Sequence, residues 1–516
     1  MSHLRTALLS SAGFLALCGP AFADLMQLKD GRFVEGVPLR VDGTNLVLKY
    51  SNGEVKVPLS LVETYYIEGQ TPPVPDTEEA KAKAAQGLVP WKGKWMKPAD
   101  RDKAVKAEIE KKRAAIEEAK KHCEWRNRYK FSSKYFDFES TMPPSLNEYY
   151  SSLLDAYFEV FKRDWNISTF PKGFDSRLKV CFYPTREDFH KIGGVSGGVL
   201  AYYRFVNPRE LNFFNERQDR RMTETVMFHE CNHYLVDLFG YPLRYPHFIG
   251  EAMAEYYGAS TYDPKTKTVK FGQIQEGRLA EVKSDIDAGR WYSITDYMNA
   301  ERGNYEDYYW GWSFVHFMMS TPAYQKKFKT FFIDLARAKD VQRKASGQME
   351  FVDVTTAECI RVFKDRMGIK DLAALEKEWH EYVKKLDAPT VRGFEEAGKR
   401  AFGEGRRKFR APRLLKQAVD MGSKDVDTLI DYSRCLRSKD QKDEALAMLD
   451  KAIELDPINA ELWAERGYLL RAKGEADAAK QMIALAKEID PDANLIDWEE
   501  VIGKVAEAGS GGDDGN

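Results

Sequence analysis

Cysteine is scarce in this chain: six among 516 residues, with only Cys123, Cys181, Cys231, Cys359 and Cys435 beyond the first two dozen positions. An odd, widely scattered set implies no disulfide framework, which excludes a small cross-linked scaffold. An excess of one charge is missing too. Seventy-eight basic and 80 acidic residues leave a formal charge of −2, with no electrostatic footprint for nucleic acid or an anionic membrane surface. After the N-terminal segment, no apolar run reaches the roughly 20 residues that cross a bilayer. Histidine is rare as well, eight in all, so the position of each one is informative.

The chain opens MSHLRTALLSSAGFLALCGPAFAD, with Arg5, an apolar core from Ala7 to Leu17, and Ala21-Phe22-Ala23 as a small-x-small site. This is the pattern of a signal peptide over residues 1–23, cleaved after Ala23, and it predicts a periplasmic or extracellular protein with no membrane span after its removal. The apolar run is short for an anchor and is broken by Gly19-Pro20. Bulky Leu17 before Cys18 argues against lipidation.

A hydrophobic content of 43% over this length supports two to four domains and at least one sizeable core. Residues 24–70 alternate apolar and polar positions between Asp30-Gly31, Asp42-Gly43 and Asn52-Gly53, dipeptides suited to tight hairpin turns, and predict a small antiparallel barrel. Residues 71–128 pass from a proline-led segment into Ala/Glu/Lys-rich sequence, expected to be a charged helical spacer. From 129 to 388 aromatic residues concentrate, and helical stretches such as SLNEYYSSLLDAYFEVFKRDW mix with strand-like RLKVCFYPT, GGVLAYYRF and ELNFFNE. That is an α+β domain. In the C-terminal part, DEALAMLDKAIELDP is echoed by ADAAKQMIALAKEIDP, so that Ala445 and Ala479, Ala452 and Ala486, and Pro457 and Pro491 fall in register. The tail 508–516 has a disordered composition.

Within the α+β domain stands MFHECNHYLVDLFG. A random chain of this composition would contain His-Glu-x-x-His on the order of 0.01 times. On a helix His229 and His233 lie one turn apart on one face, within reach of one ion, and Glu230 lies beside it, placed to take a proton from water. Cys231 falls between the histidines and need not face the metal. A catalytic zinc needs a third protein ligand. Val236 and Phe239 stand where the metzincin pattern has Gly and His, which excludes that branch. Downstream is PHFIGEAMAEYYG, with 17 residues between His233 and Glu251.

His-Glu-x-x-His followed by Glu-x-x-Ala-Glu-Tyr resembles the gluzincins. The resemblance implies a zincin-like fold, Zn2+ as cofactor, His229, His233 and Glu251 as metal ligands, and Glu230 as general base. Ala252 departs from the glycine usual after the ligand glutamate. Glu255, one turn after Glu251, and Asp237, one turn after His233, are candidates to orient the ligand histidines. His247 is a weaker alternative ligand. YYWGWSFVHFMMS, with Tyr308, Trp312, Val315 and His316 at helical spacing, resembles a helix of a little-characterised group of exported gluzincin-like bacterial proteins. Tyr308 is its candidate oxyanion stabiliser, with Tyr305 and Tyr309 as rivals; Trp312 and Phe317 are expected in the core. GGVSGGVLAYYRF carries no carboxylate where aminopeptidases of this type bind the free amine, so an endopeptidase-like cleft is expected, with the strand able to pair with an extended peptide.

Residues 24–70 resemble SH3-like modules, and 426–491 resemble two tetratricopeptide repeats, with 392–425 as a degenerate third that keeps Ala418 in register. The expected function is an exported zinc metallopeptidase with a peptide or protein substrate and a protein partner on its repeats. The alternative is a catalytically silent zinc-containing scaffold that binds cell-envelope partners through the barrel and repeats.

Overall fold

The computed structural model describes residues 24–70, 76–174, 177–183, 185–195, 199–206, 208–214, 220–240, 243–299, 304–345, 351–403 and 409–491. The signal peptide expected at 1–23 and the tail expected to be disordered at 508–516 lie outside the described residues. The chain divides into two compact units, one from 1–121 with 424–516 and the other from 122–423. No described helix is long and apolar enough to cross a membrane.

The first unit begins with six short strands: β1 (Leu25–Leu28), β2 (Phe33–Glu35), β3 (Leu39–Asp42), β4 (Asn45–Tyr50), β5 (Gly53–Pro58) and β6 (Val62–Tyr66). The turn glycines serve as expected: Gly31 and Gly43 sit at φ 91° and 59°, where an L side chain is strained. The strands do not close a barrel. They form two antiparallel three-stranded sheets, β2-β1-β6 and β3-β4-β5. The barrel expectation fails because helices, not further strands, complete this core. Met26, Leu46, Leu48, Val55 and Val57 share one buried cluster with Ile458, Tyr468, Leu485 and Ile489. Arg32 donates to both carboxylate oxygens of Asp456, at 2.8 and 3.1 Å, and the Ser51 amide donates to Glu488 at 2.7 Å.

The segment expected to be a spacer is packed as well. It contains the hairpin β7 (Val89–Trp91) and β8 (Lys94–Met96) and the helix Pro98–Lys121. Val105 and Ile109, one turn apart on that helix, bury against Leu25, Phe33, Tyr66 and Trp91. Two apolar side chains suffice for the contact, which is why a charge-dominated composition concealed it.

Four helices complete this unit: Val426–Arg437, Lys442–Leu455, Ala460–Ala472 and Ala476–Ile489. A Cβ on Gly467 would lie 2.7 Å from Ile483 Cγ1 and 3.0 Å from the Ala479 carbonyl, so the last two helices meet at a distance only glycine permits. The pair Val391–Gly403 and Ala411–Asp420, expected to form a degenerate third repeat, belongs to the second unit. There a Cβ on Gly393 would meet the Glu276 carbonyl at 2.7 Å, so this helix lies tight against its neighbour in the same unit.

The second unit is built on a five-stranded sheet, β9 (Tyr129–Ser132), β10 (Phe136–Ser140), β11 (Leu178–Tyr183), β12 (Tyr202–Arg204) and β13 (Glu210–Phe214). Its order is β12-β13-β11-β10-β9; the three inner strands run parallel and both edge strands antiparallel. Helix Pro144–Asp164 covers it with a stripe of Tyr150, Leu153, Leu154, Tyr157, Phe158 and Phe161, the 3–4 spacing of an amphipathic helix. Four helices then build the site: α1 (Arg220–Leu235), α2 (His247–Gly258), α3 (Glu276–Asp287) and α4 (Glu306–Ser320).

Candidate metal centre

Helix α1 is two-sided. Met227, Phe228, Cys231, Tyr234 and Leu235 are buried, while Met222, Val226, His229, Glu230 and His233 line an open cleft of about 1720 Å³. The 3.6-residue period therefore turns both histidines and Glu230 to the same space. Cys231 faces the core, where burial pushes its thiol well above the ordinary range, so it is no nucleophile.

Helix α2 supplies the opposing carboxylate. It packs closely on α1 because Gly258 has no side chain: a Cβ there would lie 3.3 Å from the Thr225 carbonyl and 3.7 Å from His229 Cβ. The helix starts at His247, one turn before Glu251. Behind it, Gly311 of α4 makes room for Ala252, to whose Cβ an added methyl would stand 3.0 Å away. The alanine at this position is thus accommodated by a glycine on the neighbouring helix.

His229 Nε2 lies 3.2 Å from Glu251 Oε2, and His233 Nε2 lies 3.6 Å from Glu251 Oε1. The three side chains each offer a ligand atom, all within 4.8 Å of one another. Donors bound to zinc at 2.0–2.2 Å in a tetrahedron are separated by about 3.3–3.5 Å, so the set fits that ion with only small adjustment. Two imidazoles and one carboxylate also match its donor preference. Burial disfavours a charged His229, yet the Glu251 and Glu255 carboxylates outweigh it and raise its pKa to about 10. His233 is raised in the same way, against burial, by Glu251. Burial would raise Glu251, but the two histidines hold it well below the usual carboxylate range. Protons and a divalent cation compete for the same nitrogens.

The surrounding groups separate the two orienting candidates. Glu255 Oε1 stands 3.5 Å from His229 Nδ1, on the side of the ring away from Glu251. Arg278 of α3 grips Glu255 through Nε at 2.9 Å and Nη2 at 2.6 Å, and its Nη1 donates to Glu281 at 3.0 Å and Tyr305 Oη at 3.1 Å. Asp237 instead accepts from the Tyr203 hydroxyl and from Arg209, both at 3.1 Å. Burial pushes its carboxyl up to about 7 against the pull of Arg209.

Glu230 accepts a hydrogen bond from the Tyr203 amide at 2.9 Å. Tyr203 belongs to β12, the edge strand, and this amide points away from the sheet into the cleft. Three tyrosines of α4 and its approach are also distinguished. The Tyr305 hydroxyl is held by Glu281 and Arg278, and that of Tyr309 donates to Asp285 at 2.6 Å. Tyr308 lines the cleft, half-buried, and burial followed by the charges of Glu251 and Glu255 keeps its phenol protonated. His247 lines the cleft too, its ring edge-on to Tyr308 at 5.9 Å. Trp312 and Phe317 are buried in the core, as is His316, whose Nδ1 shares a hydrogen bond of 2.7 Å with the Tyr382 hydroxyl and whose pKa is depressed by burial to about 4.

Tyr203, Arg209 and Arg278 were not legible beforehand. Each reaches the site over a sequence separation that no local spacing encodes.

Family models described as tetratricopeptide repeat match residues 426–459 and 448–481. No curated protein matches the chain. Among solved structures it is similar to YrrB, described as a TPR protein with an unusual peptide-binding site, at 16% identity and a TM-score of 0.21 over 35% of this chain and 84% of that one. It is also similar to MamA, at 19% identity and a TM-score of 0.19 over 26% of this chain and 77% of that one. The C-terminal region is built of tetratricopeptide repeats.

Proposed function

We propose that this protein is a zinc-dependent hydrolase of gluzincin type, exported, that cleaves internal peptide bonds. The observation that carries this reading is the convergence of His229, His233 and Glu251 in an open cleft with Glu230 beside them. A bound zinc ion would polarise the scissile carbonyl and ease deprotonation of water. Glu230 would accept that proton, and release of its hydrogen bond from Tyr203 would free the strand amide for a substrate. The outer edge of β12 offers backbone pairing to an extended chain. A cleft of about 1720 Å³ exceeds the roughly 300–1,000 Å³ of small-molecule sites, which favours a polymeric substrate. Tyr308 is the remaining donor, its hydroxyl available to developing negative charge.

A second reading, a zinc-containing scaffold without turnover, draws on the tetratricopeptide repeats, which suggest a protein partner. Chelation separates the two. Peptide hydrolysis by residues 24–516 should cease on metal removal and return with about one zinc per chain, whereas a scaffold would bind its partner and cleave nothing. In the same assay Tyr308→Phe should lower turnover by roughly 100- to 1,000-fold at unchanged zinc content. Wild-type turnover in the zinc-loaded variant would eliminate Tyr308 from the chemistry, and loss of zinc or of melting temperature would assign it to packing.

A further inference from the structure

Two buried arginines line the cleft beside the metal cluster, and they are satisfied very differently. Arg278 has all three guanidinium nitrogens engaged, by Glu255, Glu281 and Tyr305. Arg400, from the helix Val391–Gly403, is 7% exposed. Its one ion pair among the described residues runs from Nη1 to Glu281 Oε2 at 3.7 Å, beyond hydrogen-bond distance, and Nη1 finds no hydrogen-bond acceptor among those residues. Glu281 has little left to give. Its Oε2 already accepts from Arg278 at 3.0 Å, and its Oε1 accepts from the Tyr305 hydroxyl.

A guanidinium cannot lose its proton, so a buried one without an acceptor is held at a cost. Its planar fork of donors matches a carboxylate with two parallel hydrogen bonds. Arg400 and Gly403, one turn apart, both line the cleft. Through Glu281, Arg278 and Glu255 the same network reaches the His229 ring.

We propose that Arg400 is a specificity-determining residue that binds a carboxylate of the peptide substrate in the cleft beside Arg278 and Tyr305. The identity of the ligand as a peptide rests on the hydrolase reading. The carboxylate comes either from an Asp or Glu side chain or from the peptide's own C-terminus, and Arg400 would recognise both by the same fork.

The test uses matched peptides that differ only by Glu against Gln at each position, each with a free and an amidated C-terminus. Cleavage is measured with zinc-loaded residues 24–516, and affinity by calorimetry with the zinc-loaded Glu230→Gln protein, in which binding is read without turnover. Carboxylate peptides should bind and be cleaved about tenfold or more in preference to their neutral partners. Arg400→Met should bring that ratio close to one, and Arg400→Lys, which keeps a point charge without the fork, should retain part of it. A preference that follows Glu→Gln identifies a side chain; one that follows amidation identifies the C-terminus.

An equal response to charged and neutral peptides in the protein with Arg400 intact overturns the proposal, as does a preference that survives in a zinc-loaded Arg400→Met protein. Should Arg400→Met not fold, the ratio with Arg400 present and the Lys variant decide. Binding preference without any cleavage would defeat the hydrolase reading and leave the carboxylate site standing. Cleavage without preference would do the reverse.

Discussion

Deleting residues 424–516 is expected to unfold the N-terminal sheets. Ile458, Tyr468, Leu485 and Ile489 close the core formed by Met26, Leu46, Leu48, Val55 and Val57. Each large apolar side chain removed from water contributes about 1.5–3 kcal/mol, and a whole domain is stable by only about 5–15 kcal/mol. The loss of four such partners, with the Asp456 and Glu488 contacts, leaves two short sheets without a second layer. Amide exchange over residues 24–70 reads the outcome: protection should vanish in the truncated protein. Retained protection would show that the sheets fold without the repeats. Zinc content should persist, because the proposed ligands and the arginine that grips Glu255 lie in the other unit.

Glu251→Ala should weaken zinc binding by more than about 100-fold, the upper end of what loss of a merely supporting residue costs. The remaining imidazoles form an incomplete set, since catalytic zinc sites hold three protein ligands. Glu255→Gln is the informative comparison. It leaves the three ligands in place and removes the charge that Arg278 pairs with and His229 faces, so affinity should fall by roughly 10- to 100-fold. Competition titration with a chromophoric chelator measures both. Equal affinities in wild type and Glu251→Ala would remove Glu251 from the ligand set.

How much of this could be seen beforehand depended on the range of the interaction. The histidine pair and Glu230 were legible because a helix fixes positions one turn apart, and the aligned alanines and prolines of the repeats because a recurring unit repeats its packing. Glu251 entered through resemblance to a known motif, and its approach to both histidines became visible only with Gly258 seated against α1. The alternation in residues 24–70 predicted strands and an apolar face, but not what would cover it, and the covering helices lie about 400 residues downstream. Arg278 and Arg400 are indistinguishable in sequence from solvated arginines. Only the fold brings them to one glutamate.

The most direct test of the account is digestion of a peptide library by residues 24–516 loaded with one zinc per chain, beside Glu230→Gln loaded identically. The account predicts cleavage by the wild type and a rate lower by roughly 100- to 10,000-fold in the variant, because the ligands are untouched and only the proton acceptor is gone. Equal cleavage by the two proteins, or none by the zinc-loaded wild type, would contradict it.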